Sequence, residues 1–329
     1  MTLDRHNTEV LLVNLGTPAA PTALEVRRFL EEFLSDPLVV DWPRSLWLPI
    51  LRGIVLRRRP ERVAEMYRTI WTESGSPLRV QSNAIARGLE AALAPDVSVR
   101  AVYRYGEPGL EQEVLAAAER ARRIVVVPLF PQRTASSSGS VEDEVARITR
   151  THDLAERVEC VALAPDDADY IAALADRART SFDAHDSPPE HLLLSFHGIP
   201  ARVDRAEQRR YSRDCARTAS ALLDALDWEP DRATLCYQSR FGPERWLRPS
   251  TAGLLMDLPV RGVRRLGVIA PGFLTDGLET LEELGVRGRK DFLTFGGQKL
   301  TLVPALADSP ALIAALARLV RLRPKKLAP

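Results

Sequence analysis

The chain has 329 residues, 45% hydrophobic and 27% charged, a length and balance that suit two ordinary globular domains and exclude a disordered or fibrous chain. Its 45 Lys and Arg against 44 Asp and Glu leave a net charge of +1, which gives no support to a nucleic-acid binder. Three cysteines, Cys160, Cys215 and Cys236, with no C-x-x-C spacing, argue against a disulfide framework or a thiolate metal centre and fit a reducing cytoplasm.

From the N-terminus, the apolar run Val10–Asn14 is too short for a signal-peptide core and predicts a first strand. Val26, Phe29, Leu30, Phe33 and Leu34 then recur at helical spacing as one apolar stripe. Residues 35–59 break the rhythm: Trp42, Trp47, Leu48, Pro49, Ile50 and Leu51 precede Arg57-Arg58-Arg59. Such a segment could form an apolar lip over a flat ligand or at a membrane surface, or a helical hairpin packed on the body with its arginines in water. A strand at Val97–Tyr103 and a helical stripe of Leu110, Val114, Leu115 and Ala118 follow. Further strands are expected at Ile124–Leu129, Val158–Leu163, Leu192–Phe196, Thr234–Tyr237, Leu266–Ala270 and Leu300–Val303. No apolar stretch approaches the length of a membrane-spanning helix.

Eight strands with interleaved helices predict an α/β protein with doubly wound parallel sheets. A short internal repeat divides them. Val10–Pro18 and Leu192–Pro200 are each an apolar strand ending in Gly-x-Pro, and Pro128-Leu129-Phe130 parallels Pro271-Gly272-Phe273. Two similar lobes are therefore expected: residues 1–155, including the lip at 35–59; residues 156–308; and a C-terminal helix and tail at 309–329.

In such sheets ligands bind at the carboxyl ends of the strands. The strand-end segments with polar or glycine residues are 14–18, 104–106, 131–140, 195–198, 238–242 and 273–279. Neither G-x-G-x-x-G nor the Walker lysine loop is present, which removes the main support for a dinucleotide or NTP site. Of five histidines, His6, His152 and His185 lie in polar surroundings and His191 opens a strand. Only His197 directly follows an apolar strand and precedes a glycine, where its imidazole could ligate a metal or accept a proton. Asp276, Glu279 and Glu283 would share one helical face as a path for cations or protons. The same Asp276 and Glu279 would also serve as a capping box, and Glu282 as solvated surface.

These residues carry a resemblance. Leu-Val-Asn-Leu-Gly-Thr-Pro at 12–18, Phe-Leu-Ser-Asp at 33–36, Gly-Ser-Pro-Leu at 75–78 and Pro-Leu-Phe-Pro-Gln at 128–132 resemble ferrochelatase signatures. So do Leu-Ser-Phe-His-Gly-Ile-Pro at 194–200, Gln-Ser-Arg-Phe-Gly at 238–242 with Trp246, and Asp-Gly-Leu-Glu-Thr-Leu-Glu-Glu at 276–283. The likeness runs from about Val10 to about Val320 and is closest to the Gram-negative bacterial type that uses protoporphyrin IX. It implies two chelatase lobes with the active-site cleft between them. It also implies His197 and Glu279 as catalytic and metal-binding residues, Asp276 and Glu283 as an acidic path, and porphyrin contacts by Leu15, Arg58, Arg104, Tyr105 and Trp246.

The implied reaction inserts Fe²⁺, a substrate, into protoporphyrin IX in haem biosynthesis. No permanently bound cofactor is expected, and no iron–sulfur cluster, since no cysteine follows Cys236. A cytoplasmic monomer, touching a membrane only peripherally through the lip, completes the expectation. Gly277, where the family often has cysteine or histidine, Arg133, where an aromatic is usual, and Glu-Arg-Trp ahead of Leu247 depart from the pattern. A coproporphyrin chelatase, or a porphyrin carrier without insertion activity, are the other readings of the same residues.

Overall fold

Strand β1 (Thr8–Asn14) lies second in a four-stranded parallel sheet of order β2-β1-β3-β4, with β2 at Val97–Tyr103, β3 at Arg123–Pro128 and β4 at Val158–Cys160. A second parallel sheet has the order β6-β5-β7-β8, formed by Ala233–Gln238, His191–His197, Arg265–Ile269 and Lys299–Leu302. The computed structural model describes residues 8–184 and 188–322, so His6 and His185 lie outside it. One unit takes the chain to Leu163 and resumes at Ile313; the other is Ala164–Leu312.

Each predicted strand is present, and the sequence repeat falls on topologically equivalent ones: β1 and β5 each occupy the second place in their sheets, followed in space by β3 and β7. Strand β4 is shorter than expected. It pairs with β3 only across Val158–Cys160, and after the bond from Val161 N–H to the Val126 carbonyl (2.9 Å) the ladder ends. Strands β1 and β5 read as nearly unbroken apolar runs because both faces of a central parallel strand are covered. Val10 to Val13 and Leu192 to Phe196 are all buried.

In the first unit, α1 (Ala23–Ser35) is capped by Thr22, whose hydroxyl accepts from Glu25 N–H, and it buries Val26, Phe29, Leu30 and Leu34, as the stripe predicts. Residues 44–70 form one helical run: α2 (Arg44–Ile50), a π-helical turn (Leu51–Val55) and α3 (Leu56–Ile70). Trp47 and Leu51 turn inward, with Trp47 Nε1–H donating to the Leu34 carbonyl at 2.7 Å; Trp42, Leu46 and Ile54 stay exposed. The segment therefore packs as a helix on α1 and still presents an apolar outer edge. Helix α4 (Pro77–Leu93) leads to β2, while α5 (Leu110–Arg120) and α6 (Ser140–Thr151) cover the sheet face that carries Leu11, Val13, Val102 and Val126.

The second unit repeats this plan. Helices α7 (Ala168–Asp183) and α9 (Arg210–Leu226) pack together, with the short α8 (Ala201–Ala206) preceding α9. On the face carrying Leu193, Cys236 and Val268 lie α10 (Thr251–Val260), a π-helix (Leu278–Gly288) and α11 (Arg289–Thr294). A final helix, α12 (Pro310–Arg321), begins in the second unit and from Ile313 onward belongs to the first. Among the described residues no helix is long and apolar enough to cross a membrane.

Candidate active site

In each sheet the connection to one neighbour of the second strand runs opposite to the rest, which places the topological switch point beside β1 and beside β5 at their carboxyl ends. At the end of β5, His197 is the one exposed residue after five buried ones. Its Nδ1 lies 2.7 Å from the Gly198 carbonyl, which can only accept, so Nδ1 carries the proton and Nε2 of the neutral ring presents a lone pair. Its own carbonyl accepts from the buried Tyr211 hydroxyl at 2.6 Å. The turn after it is crowded: a Cβ on Gly198 would stand 2.7 Å from the Gln238 carbonyl and 3.0 Å from the Trp246 ring. Trp246 is held there by an antiparallel bridge to Pro200, and its buried Nε1–H has no hydrogen-bond partner among the described residues.

Glu279 lies in the first turn of the π-helix. Burial pushes its carboxyl above the ordinary value of 4.5; the neighbouring His197 pulls it down, and Glu283 adds a smaller upward push. Glu283 is clamped by residue 239, accepting from Ser239 N–H at 2.7 Å and from its hydroxyl at 2.5 Å. With i→i+5 closure, residues four apart stay on one side of the helix, so Glu279 and Glu283 remain neighbours.

Three expectations for this segment need correction. Asp276 does not continue a helical stripe, because the π-helix starts only after Gly277; it sits buried ahead of it, accepting from the Thr280 hydroxyl (2.9 Å) and Ala305 N–H (3.4 Å). The capping box of Asp276 and Glu279 is absent, since Thr280 Oγ1 takes the Gly277 N–H at 3.0 Å and leaves the Glu279 carboxyl free of that duty. Glu282 is not solvated surface: its side chain is 6% exposed and paired with Arg287 at 2.8 Å. The backbone at Gly277 is extended (φ −155°), a conformation open to any residue.

In the first unit Leu15, Arg104 and Tyr105 meet around a tight crossing. Tyr105 N–H donates to the Leu15 carbonyl at 2.9 Å, beside Gly16. Arg104 pairs with Asp36 at 2.7 Å and reaches the Ser140 hydroxyl at 2.8 Å; the Tyr105 hydroxyl donates to the same Asp36 at 2.8 Å. Burial raises the Tyr105 phenol well above its usual range. Two of the sequence signatures also touch here, through the Thr17 hydroxyl donating to Ser76 at 2.9 Å. Arg58 is exposed on α3 with no ion-pair or hydrogen-bond partner among the described residues. Arg133 pairs with Glu142 at 2.7 Å. Burial pushes the thiols of Cys160 and Cys236 up to about 12 and that of Cys215 well above 9.0, which disfavours the thiolate.

Sequence reasoning flagged the loops of Ser195, Gln238 and Ser239 without assigning them partners, and missed Tyr211 and Thr251 altogether. Tyr211 stands in an arginine-rich stretch with no pattern to single it out. Among the described residues no three His, Cys, Asp or Glu side chains converge into a metal-holding group.

The ferrochelatase family model matches residues 7–323. A ferrochelatase of Enterobacter sp. (strain 638) is 44% identical over 323 residues, covering 98% of this chain and 100% of that protein. One of Azoarcus sp. (strain BH72) is 43% identical, covering 95% and 87%. Among solved structures, the sirohydrochlorin chelatase SirB of Bacillus subtilis subspecies spizizenii with cobalt has a TM-score of 0.58 at 14% identity, covering 96% of this chain and 94% of that one. SirB from Bacillus subtilis with Fe³⁺ gives 0.57 at 13%, with the same coverage; these likenesses concern the fold.

Proposed function

This chain belongs to the ferrochelatase family of metal-chelating lyases, and we propose that it inserts Fe²⁺ into protoporphyrin IX to give protohaem and two protons, with His197 and Glu279 at the macrocycle centre. One arrangement carries this reading: an outward imidazole nitrogen lone pair beside a carboxyl whose proton affinity is raised by burial. The difficulty of insertion is geometric and protic. Two pyrrole N–H protons must leave, and a hydrated Fe²⁺ must shed water. His197 Nε2 accepts one proton. Glu279, which takes up and gives back a proton closer to neutrality than an ordinary carboxylate, serves the second and passes it toward Glu283. Asp276 shores up the start of this path through Thr280.

Imidazole and carboxylate together suit Fe²⁺ and equally Zn²⁺ or Co²⁺, so metal choice rests on supply. Iron is a substrate here, and the proposal includes no resident cofactor and no cluster. Leu15 and Trp246 offer apolar surface to the rings, and the unpaired Arg58 takes a propionate through a charge-assisted bond. Arg104 and Tyr105, committed to Asp36, shape the porphyrin's surroundings. The exposed Trp42, Leu46 and Ile54 beside Arg57 and Arg58 would let a cytoplasmic monomer touch an anionic bilayer.

The test is anaerobic insertion of Fe²⁺ followed by the Soret shift, with protoporphyrin and coproporphyrin compared. His197→Ala should abolish insertion while porphyrin binding, read by fluorescence quenching, persists; Glu279→Gln should cripple turnover. Near-normal turnover of the His197 variant removes the imidazole from the mechanism. Faster turnover of coproporphyrin overturns the choice of tetrapyrrole, and binding without insertion makes the chain a carrier.

A further inference from the structure

A line of buried polar side chains runs behind Glu279. Gln238 Nε2 lies 2.6 Å from the Glu279 carbonyl oxygen; Ser195 Oγ lies 2.6 Å from Gln238 Oε1 and 2.8 Å from Thr251 Oγ1. Gln238 is 2% exposed, and Ser195 and Thr251 are no more so. One end fixes the direction as far as Ser195. A carbonyl only accepts, so the amide nitrogen of Gln238 faces Glu279 and its oxygen faces Ser195. Ser195 must then donate its single proton to that oxygen, so toward Thr251 it can only accept, and the one Thr251 proton also has Cys236 Sγ within reach at 3.2 Å. The sheet register explains why these groups meet. Ser195 pairs with Cys236 and His197 with Gln238, and alternate residues of a strand share a face.

We infer that Ser195 and Gln238 are positioning residues for insertion: they tie the main chain of Glu279 to the ends of β5 and β6, and so hold its carboxyl in register with His197. An apolar filling would serve packing alone at no desolvation cost, whereas a directed polar line ending on one peptide carbonyl orients that peptide. This inference rests on the insertion reading above.

Three variants test it: Ser195→Ala, Gln238→Met, which keeps length and volume, and the double variant. Each is assayed as folded protein, checked by circular dichroism, for kcat, for KM and for porphyrin binding by quenching. Misplacing a reacting group by a fraction of an ångström lowers kcat by about 10–100-fold, and KM and porphyrin affinity should stay within about twofold, because both side chains are buried behind Glu279. The double variant should be no slower than Gln238→Met, since both changes cut the same tether. Should Ser195→Ala fail to fold, Gln238→Met carries the test. A kcat within twofold of wild type in Gln238→Met, a loss confined to KM, or single effects that multiply in the double variant would overturn the inference and leave the insertion reading standing. A wild-type protein that inserts no metal brings both down.

Discussion

Gly16→Ala is the most demanding substitution the fold offers. Gly16 has φ +112°, and a Cβ built there stands 1.8 Å from the Tyr105 carbonyl oxygen and 2.9 Å from its carbon. No flexible tip can swing aside, because the obstacle is backbone. Strand-end residues 104 and 105 must move away from 14 and 15 by roughly 1 Å or more, stretching the bonds of Arg104 N–H to Asn14 and Tyr105 N–H to Leu15, both 2.9 Å. Left-handed backbone costs a non-glycine residue about 1–2 kcal/mol. Two weakened hydrogen bonds at about 0.5–1.5 kcal/mol each bring the loss to roughly 2–5 kcal/mol. Gly75→Ala supplies the control, for it has φ +110° and nothing within 4 Å of the added Cβ; its cost should be the backbone term alone, about 1–2 kcal/mol. Urea unfolding followed by tryptophan fluorescence compares the two. Equal midpoints for the two variants would refute the close approach at Gly16 and, with it, the geometry that seats Tyr105 against Asp36.

Glu279→Gln should change stability in a pH-dependent way. Burial raises the Glu279 pKa in the folded chain, so the folded state binds that proton more tightly than the unfolded one. The stability of this group is complete below its unfolded value and is lost as pH rises through the raised value. The glutamine variant, which cannot ionise, should therefore melt higher than wild type at neutral pH and at the same temperature below about pH 4; a constant difference across pH would show that Glu279 does not ionise at a cost. Glu9, 1% exposed, holds Arg120 at 2.7 Å and Arg100 at 3.0 Å. Glu9→Gln should destabilise by roughly 2–4 kcal/mol, less than a fully buried pair because both arginines are partly in water. Denaturation at low and high salt checks it, and a loss under 1 kcal/mol would mean the arginines find water at no cost.

How much of this was legible depended on sequence distance. The strands were, because a parallel strand covered on both faces is nearly continuously apolar, and Val10–Val13 and Leu192–Leu194 are such runs. So was His197, since a strand that ends on a histidine puts it at the sheet's carboxyl edge. The stripe of Val26, Phe29, Leu30 and Leu34 survives for the same local reason. The helix after Gly277 was legible only as a helix: whether it closes at i→i+4 or i→i+5 depends on what packs beneath it, and its buried Thr280, Glu282 and Leu284 do not declare a period in eleven residues. That choice moved Asp276 off the stripe and turned Glu282 inward toward Arg287.

The polar contacts that support Glu279 and Glu283 were not legible, because each joins residues some forty positions apart: Gln238 with the 279 carbonyl, Ser239 with Glu283, Ser195 with Gln238. A glutamine at a strand end and a serine within an apolar strand look like minor blemishes until register places them face to face. Register itself follows from packing of the whole sheet, so sequence can single out His197 and Glu279, the two groups proposed to meet a metal and a proton, while remaining silent on what aims them. The aiming groups are backbone-directed for a physical reason: a donor on the 279 carbonyl orients the residue without adding charge to a carboxyl that burial already strains toward its neutral form.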